Sequence, residues 1–357
     1  MRRWHLVPLA LILLVLIGLP VAALTDTGLE HELREDLGIA TGECEPMTNP
    51  ASAWRGDASL PYPLDEPRGA AIDGEVYLVG GITGLQQLPS GRLLLEPSDE
   101  LTRFDPRTGT FTELAPMPRP ANHIGVVGYD HRLYVLGGYG RTLDRRTSDA
   151  FYRYDPRTNR WSRMPDLPEP RAAMAVGVIG HELVLAGGAF DNKPQDDAWS
   201  FDFRTNRWSR LPEMLSRREH VGSAVVGDDL YVLGGRTPDT LAANTAEAYE
   251  AAERRWRRLP PMPVGAGGLQ TIATEGDVIA IGGGDDGAGT VTGAVQEWEP
   301  DNERWELLPS MRTPRHGHAA AAVGRDIWVF GGSPCAYFNA TDSVESLELD
   351  GHGGVAR

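Results

Sequence analysis

The sequence predicts an all-β protein: a closed ring of six small antiparallel sheets, four strands to each. Three observations carry this. A Gly-Gly pair ends a short apolar run at six places, at Gly81, Gly138, Gly188, Gly235, Gly283 and Gly332, with intervals of 57, 50, 47, 48 and 49 residues. After each of the first five pairs come two aromatics seven residues apart. No long amphipathic helical period runs through the chain, and glycine (42) and proline (27) punctuate every unit. A repeat of this length is one supersecondary unit that cannot bury both its faces alone, so the units must pack on one another. Radial packing does so without leaving long open edges.

Each unit reads as four strands in order. The first is an alanine- and valine-rich run before a small polar turn, as in AMAVGVIGHE; small side chains suit the crowded centre of a ring. The second is the apolar run that ends in Gly-Gly, where missing side chains permit positive φ and close backbone approach. The third and fourth flank turns such as DPRTGT, DPRTNR, DFRTNR and EPDNER, whose Asp, Pro and Asn have defined turn roles. The aromatic pairs lie here: Phe104 with Phe111, Tyr154 with Trp161, Phe201 with Trp208, Tyr249 with Trp256, and Trp298 with Trp305. A proline-rich exit such as MPDLPEPR follows.

The sixth unit lacks its last strand. After Gly332 the outer apolar position falls at Leu347, fifteen residues on, as Trp298 follows Gly283, but no tryptophan comes after it. At the other end of the repeats, SAWRGDASLPYP looks like the back half of a unit with no front. Its Trp54 precedes Phe111 by 57 residues, the interval between Gly81 and Gly138. Residues near 52–58 are therefore expected to pair with the strand around Val344–Leu349, closing the ring with the two ends of the chain.

Gly-Gly at the end of an apolar strand, followed by Tyr or Phe and then Trp at fixed spacing, resembles the Kelch repeat, over about 300 residues. The resemblance implies a six-bladed β-propeller over residues 51–350, with a C-terminal tail at 351–357.

Ahead of the repeats, Arg2 and Arg3 precede 19 uncharged residues, Leu6 to Leu24. Residues 1–24 read as a signal peptide with small residues at Val21-Ala22-Ala23, or as an uncleaved membrane anchor. Either places the rest outside the cytoplasm, secreted or tethered. Residues 25–50 form an acidic linker. The two cysteines, Cys44 and Cys335, sit far apart in sequence. In an oxidising compartment they suggest one disulfide that reinforces ring closure; the alternative is two unrelated thiols. The acidic excess, 34 basic against 50 acidic residues, argues against nucleic acid as a partner.

Strand direction alternates, so loops leading into first strands and out of second strands share a face, where variable loops ring the channel mouth. These loops carry Arg141, Arg145, Arg146, Asp191, Asn192, Lys193, Arg236, Asp285, Asp286, Tyr337 and Asn339 as candidate ligand-binding residues. Arg315 and His316 join them at the approach to the sixth first strand. Arg68, His123, Arg171, Arg218, His220 and His318 gather at equivalent points. Convergence there could make a metal or acid–base site, but Pro-Arg followed by His is common at this point of the Kelch repeat, and a structural role is the simpler reading. No metal site or cofactor is expected. Asn339-Ala340-Thr341 matches an N-glycosylation acceptor.

No nucleophile motif, phosphate-binding loop or placed carboxylate pair is evident, which favours a monomeric, non-enzymatic propeller that binds a protein or a carbohydrate. The alternative is a sugar-acting enzyme: an exported six-bladed Kelch chain resembles the sialic acid mutarotases (N-acetylneuraminate epimerases). Their catalytic residues do not map onto positions here. Copper-radical oxidases also use a Kelch propeller, but their ligand constellation is missing.

Overall fold

Small residues at the centre and aromatics at the rim set the layout of the computed structural model, which describes residues 46–89, 93–141, 146–285, 287–336, 338–350 and 354–355. The apolar run 6–24, Cys44, Arg145, Asp286 and Tyr337 lie outside the described residues. Blade 1 consists of Arg68–Ile72, Glu75–Val79, Leu101–Asp105 and Thr110–Glu113. Blade 2 is Gly125–Tyr129, Arg132–Leu136, Phe151–Asp155 and Arg160–Arg163, and blade 3 is Ala175–Ile179, Glu182–Ala186, Ala198–Asp202 and Arg207–Leu211. Blade 4 is Gly222–Val226, Asp229–Leu233, Ala246–Glu250 and Arg255–Arg258; blade 5 is Gln270–Thr274, Asp277–Ile281, Val295–Glu299 and Arg304–Leu308. All pairings within blades are antiparallel, and the first strands of neighbouring blades touch all the way round, sixth to first included.

Blade 6 holds Ala319–Val323, Asp326–Phe330 and Ser343–Asp350, and its outer strand is Arg55–Ser59, from the other end of the chain. Arg55 pairs with Ser346 and Ser59 with Ser343, across a bulge near residue 57. The expected closure is thus present. Gly354–Val355, which the sequence places in a tail, adds a short strand against Leu349 and Asp350.

The Gly-Gly pairs act between blades. Both glycines of each pair have positive φ. A Cβ on Gly80 would lie 2.6 Å from the carbonyl oxygen of Ala121 in the next blade, and one on Gly282 would lie 2.7 Å from that of Arg315. The second glycine's N–H donates to that same carbonyl: Gly81 to Ala121 (3.0 Å), Gly188 to Arg218 (2.8 Å), Gly283 to Arg315 (2.9 Å). Gly332 donates to Leu64 at 2.8 Å, carrying the pattern across the seam.

The outer tryptophans supply a second belt. Trp161, Trp208, Trp256 and Trp305 donate their indole N–H to the carbonyls of Ala115, Pro165, Pro212 and Pro260, each in the exit segment of the preceding blade. Trp54 donates to Pro309 at 2.8 Å, the same bond made by the chain's other end. The aromatic pairs stand directly opposite on the third and fourth strands, with centroids 4.8 to 5.4 Å apart. Phe111 has no N–H, and the seam between blades 6 and 1 relies on Phe104 packing on Trp328 and Phe330 at 5.0 and 5.2 Å. At the third-to-fourth turns, the Asp105, Asp155 and Asp202 carboxylates accept from the N–H two residues on, as the DPRT pattern implies.

Candidate axial site and loop-face cleft

The approach to every first strand passes one residue with φ between +51° and +64°: Glu66, His123, Ala173, His220, Gly268 and Gly317. These six form a belt around the axis. Ala173 N–H donates to His123 O, His220 to Ala173, Gly268 to His220, Gly317 to Gly268, and Glu66 to Gly317, at 2.6 to 3.0 Å. The ring brings Glu66, His123 and His220 together from blades 1, 2 and 4, all buried. Their ligating atoms lie within 4.8 Å of one another. Glu66 Oε1 is 3.5 Å from His123 Nε2, and the two imidazoles meet edge to face at 4.6 Å. Glycine at 317 makes room for this: a Cβ there would stand 2.8 Å from Glu66 Oε1.

Both histidines are oriented by the residue before them. His123 Nδ1 meets Asn122 Oδ1 at 2.6 Å, and His220 Nδ1 meets the Glu219 carboxylate. Arg236 Nη1 reaches His220 Nε2 at 3.3 Å, and Arg68 stands 3.6 Å from Glu66 Oε2. Burial alone would raise the Glu66 pKa, but the positive charge of His123, Arg68, His316 and Arg236 outweighs it and holds the carboxyl below its usual value. Glu66 Oε2 and both ring nitrogens of His316 are buried without a hydrogen-bond partner.

Two positions before the belt residues of blades 3, 4 and 6 stand Arg171, Arg218 and Arg315, each wholly buried. They are struts within their own blades. Arg171 forks onto Asp197 at 2.7 and 2.9 Å. Arg218 donates to the carbonyls of Gly234 and Thr245 and lies 3.4 Å from Glu247. Arg315 binds Glu345, Ser343 Oγ and the Gly331 carbonyl. Arg315 therefore departs from its expected place among ligand contacts: its guanidinium satisfies carbonyls that end a second strand, and no surface is left for a ligand.

The remaining candidates scatter. Arg236 and His316 belong to the axial cluster. Asp191 and Asn192, at φ +49° and +55°, form the two-residue turn of a small hairpin, Ala189–Phe190 with Lys193–Pro194, so turn geometry accounts for them. Lys193 is exposed beside it, and Arg146 is exposed on the blade 2 loop. Arg141 bonds Gln86 at 2.7 Å, tying that loop to the hairpin Ile82–Gln87/Leu93–Pro97 of blade 1. Asn339 donates to Cys335 Sγ at 3.4 Å. Cys335 is buried and disulfide-bonded.

Asp285 lines an open cleft of about 1000 Å³ between the loops of blades 4 and 5. Ser216, Arg217, Thr237, Asp239, Asn244 and Thr292 share its wall, making it rich in hydroxyls and charges.

The KLHDC2/KLHL20/DRC7 Kelch-repeats domain family matches residues 123–332, and the Kelch motif matches 67–118. Kelch-like protein terF of Aspergillus terreus is 35% identical over 77 residues, 22% of this chain and 16% of that protein. Kelch repeat and BTB domain-containing protein 12 of Danio rerio is 33% identical over 103 residues, 28% of this chain and 16% of that protein. N-acetylneuraminate epimerase of Haemophilus influenzae is 32% identical over 95 residues, 26% of this chain and 24% of the epimerase. The chain thus matches under a quarter of the length of these relatives. The solved structure of YjhT superposes with a TM-score of 0.69 at 17% identity, covering 84% of this chain and 98% of that one, which is a likeness of fold. With the repeat matched over more than half its length, the chain belongs to the Kelch-repeat family.

Proposed function

We propose that the protein is an exported, monomeric binding propeller that engages a protein or carbohydrate ligand on its loop face, with the blade 4–5 cleft as the seat. The cleft carries this reading. A polar, open wall of threonine, serine, asparagine and aspartate groups suits a polyhydroxylated chain or an extended peptide backbone, which offer many hydrogen-bonding groups and little apolar surface. The belt of backbone bonds beneath the face gives those loops a rigid base. A family whose propellers generally mediate protein interactions supports a protein partner.

The test is a glycan array and a peptide array probed with the full chain, followed by calorimetric titration of any hit. Thr240→Trp, which fills the cleft, should abolish the titration signal; a hit that binds Thr240→Trp unchanged would remove the cleft from the reading.

The axial cluster favours a second reading, a sugar-acting enzyme like the epimerase that shares a segment with this chain. A buried carboxylate beside two imidazoles could exchange protons with a ring-opening sugar. Accelerated anomer interconversion of free monosaccharides, followed by NMR, would displace the binding-only reading. Flat rates together with a cleft-dependent ligand would remove the enzyme.

A further inference from the structure

We infer that the cleft between blades 4 and 5 takes an extended peptide segment carrying lysine or arginine, and that Asp239 and Asp285 select its charge. The inference rests on that cleft being the seat of binding, as proposed above. The two carboxylates carry it. Asp239 comes from the blade 4 loop and Asp285 from the small hairpin of blade 5, and both line the cleft. Asp285 Oδ1 accepts from Ala288 N–H at 3.2 Å, and neither carboxylate has an ion-pair partner among the described residues. Several acids of the same face are already met: Asp197 by Arg171 at 2.7 Å, Asp196 by Arg217 at 3.1 Å, and Glu96 by Arg141 at 3.9 Å. Arg217, the one arginine among the described residues of the cleft wall, is thus held by a carboxylate outside it. The cleft keeps a surplus of negative charge, in a chain with 34 basic against 50 acidic residues, and so draws a cationic partner.

Three features of the wall favour a peptide over a glycan. No described residue that lines it is aromatic, so the apolar face of a sugar ring has nothing to stack on. Leu215 and Leu241, 48% and 39% exposed, adjoin the wall residues Ser216 and Thr240 in sequence and offer apolar contacts to aliphatic side chains. The strand Thr290–Val291 pairs with Gly284–Asp285 on one side and, among the described strands, with nothing on the other. Both of its residues line the cleft. An extended chain joins such an edge through main-chain hydrogen bonds, and its alternate side chains reach the wall. Asp285 stands opposite Thr290 in the register, one strand in from that edge. Two strand spacings are roughly 10 Å, a gap that a lysine or arginine and a carboxylate close between them.

The test pans a phage-displayed library of random nonapeptides against the full chain and titrates the strongest selected peptide by calorimetry. Selected sequences should carry lysine and arginine at about twice library frequency or more, and panning against the double variant D239N/D285N should return them at library frequency. Asp239→Asn and Asp285→Asn should each weaken the selected peptide by about 3- to 5-fold, and the pair by roughly tenfold or more. Glu253→Gln, which removes an exposed carboxylate from the outer turn of blade 4, should leave its affinity unchanged. Thr240→Trp separates this inference from the reading beneath it. Peptides that bind Thr240→Trp unchanged would remove the cleft and the inference together. Peptides lost on Thr240→Trp but without lysine or arginine enrichment, or held equally by D239N/D285N, would leave the cleft as the seat and overturn its selection of charge. A library that yields no binder, or a chitosan hexamer that displaces the selected peptide with equal or higher affinity, would overturn the choice of a peptide.

Discussion

Replacing Trp54 tests whether the first strand closes the ring or only rests on it. The side chain is 2% exposed, packs with Leu347, Ile327 and Val329, and donates its indole N–H to Pro309. Full truncation of a buried tryptophan costs about 3–5 kcal/mol. The carbonyl left without a donor adds about 1 kcal/mol. Trp54→Ala should therefore destabilise by about 4–6 kcal/mol in urea unfolding followed by far-ultraviolet circular dichroism. Trp54→Phe keeps most of the ring and loses the donor, as Phe111 does naturally in blade 1, and should cost about 1–2 kcal/mol. Trp256→Ala is the control, because Trp256 makes the same bond at 2.9 Å in the middle of the chain. A tail lying on a ring that is complete without it would give Trp54→Ala under about 1 kcal/mol while Trp256→Ala stayed severe. That outcome would refute the closure argument.

Glu247→Ala should cost about 3–5 kcal/mol in the same assay, because it strands Arg218 wholly buried without its counter-charge, whereas the pair R218M/E247L should recover most of the loss. His318 is fully buried, and burial together with the positive charge of Arg315 pushes its pKa well below the ordinary 6.5. Its neutral form is undisturbed above that value, but below it the unfolded chain takes a proton that the fold refuses. Wild type should thus lose stability relative to His318→Gln by up to about 1.4 kcal/mol per pH unit as pH falls below 6.5. Burial, with Asp277, Glu299 and Glu306 nearby, raises the Glu297 carboxyl to about 7. The sign here is the reverse: wild type should match Glu297→Gln below pH 4.5 and fall behind it as pH rises, reaching about 3 kcal/mol above pH 7. Ala173→Gly relieves a left-handed backbone and should raise stability by about 1 kcal/mol; a loss would mean that the methyl group's packing outweighs the strain.

The ring was legible because its parts repeat. Each Gly-Gly pair and each outer tryptophan makes the same contact to a neighbouring blade, so the spacing of Gly81 to Gly332 and of Trp161 to Trp305 registers the geometry directly. Trp54 could be placed by interval alone for the same reason. The axial cluster was only half legible. His123 and His220 stand out at the approach to their strands, but a local string such as REH reads the same whether its arginine props a sheet or faces a ligand. Arg315 shows the consequence: it lies in PRHGH like a surface residue, yet its guanidinium is spent on Glu345 and on carbonyls of its own blade. Glu66 carried no signal, because its place is defined by a backbone angle shared with residues 57 and 154 positions away. The cleft was out of reach too, since it depends on how far two loops from different blades stand apart.

The choice of residues on the axial belt separates scaffold from function. All six positions need left-handed backbone, which glycine adopts freely and other residues adopt at a cost of about 1–2 kcal/mol. Gly268 and Gly317 meet that need in the least demanding way, and Ala173 shows that a bare methyl is tolerated. Glycine would satisfy the belt at the other three positions as well, since the bonds that form it use only backbone groups. Glutamate and histidine there add strain, bury charge and leave a carboxylate oxygen without a hydrogen bond. Nothing in the closure of the ring asks for these side chains: closure is carried by the glycine pairs, the tryptophans and the aromatic seam, all farther from the axis. Strain and unsatisfied polarity concentrated on three side chains that meet at one point are what a binding site costs a scaffold that does not otherwise need it.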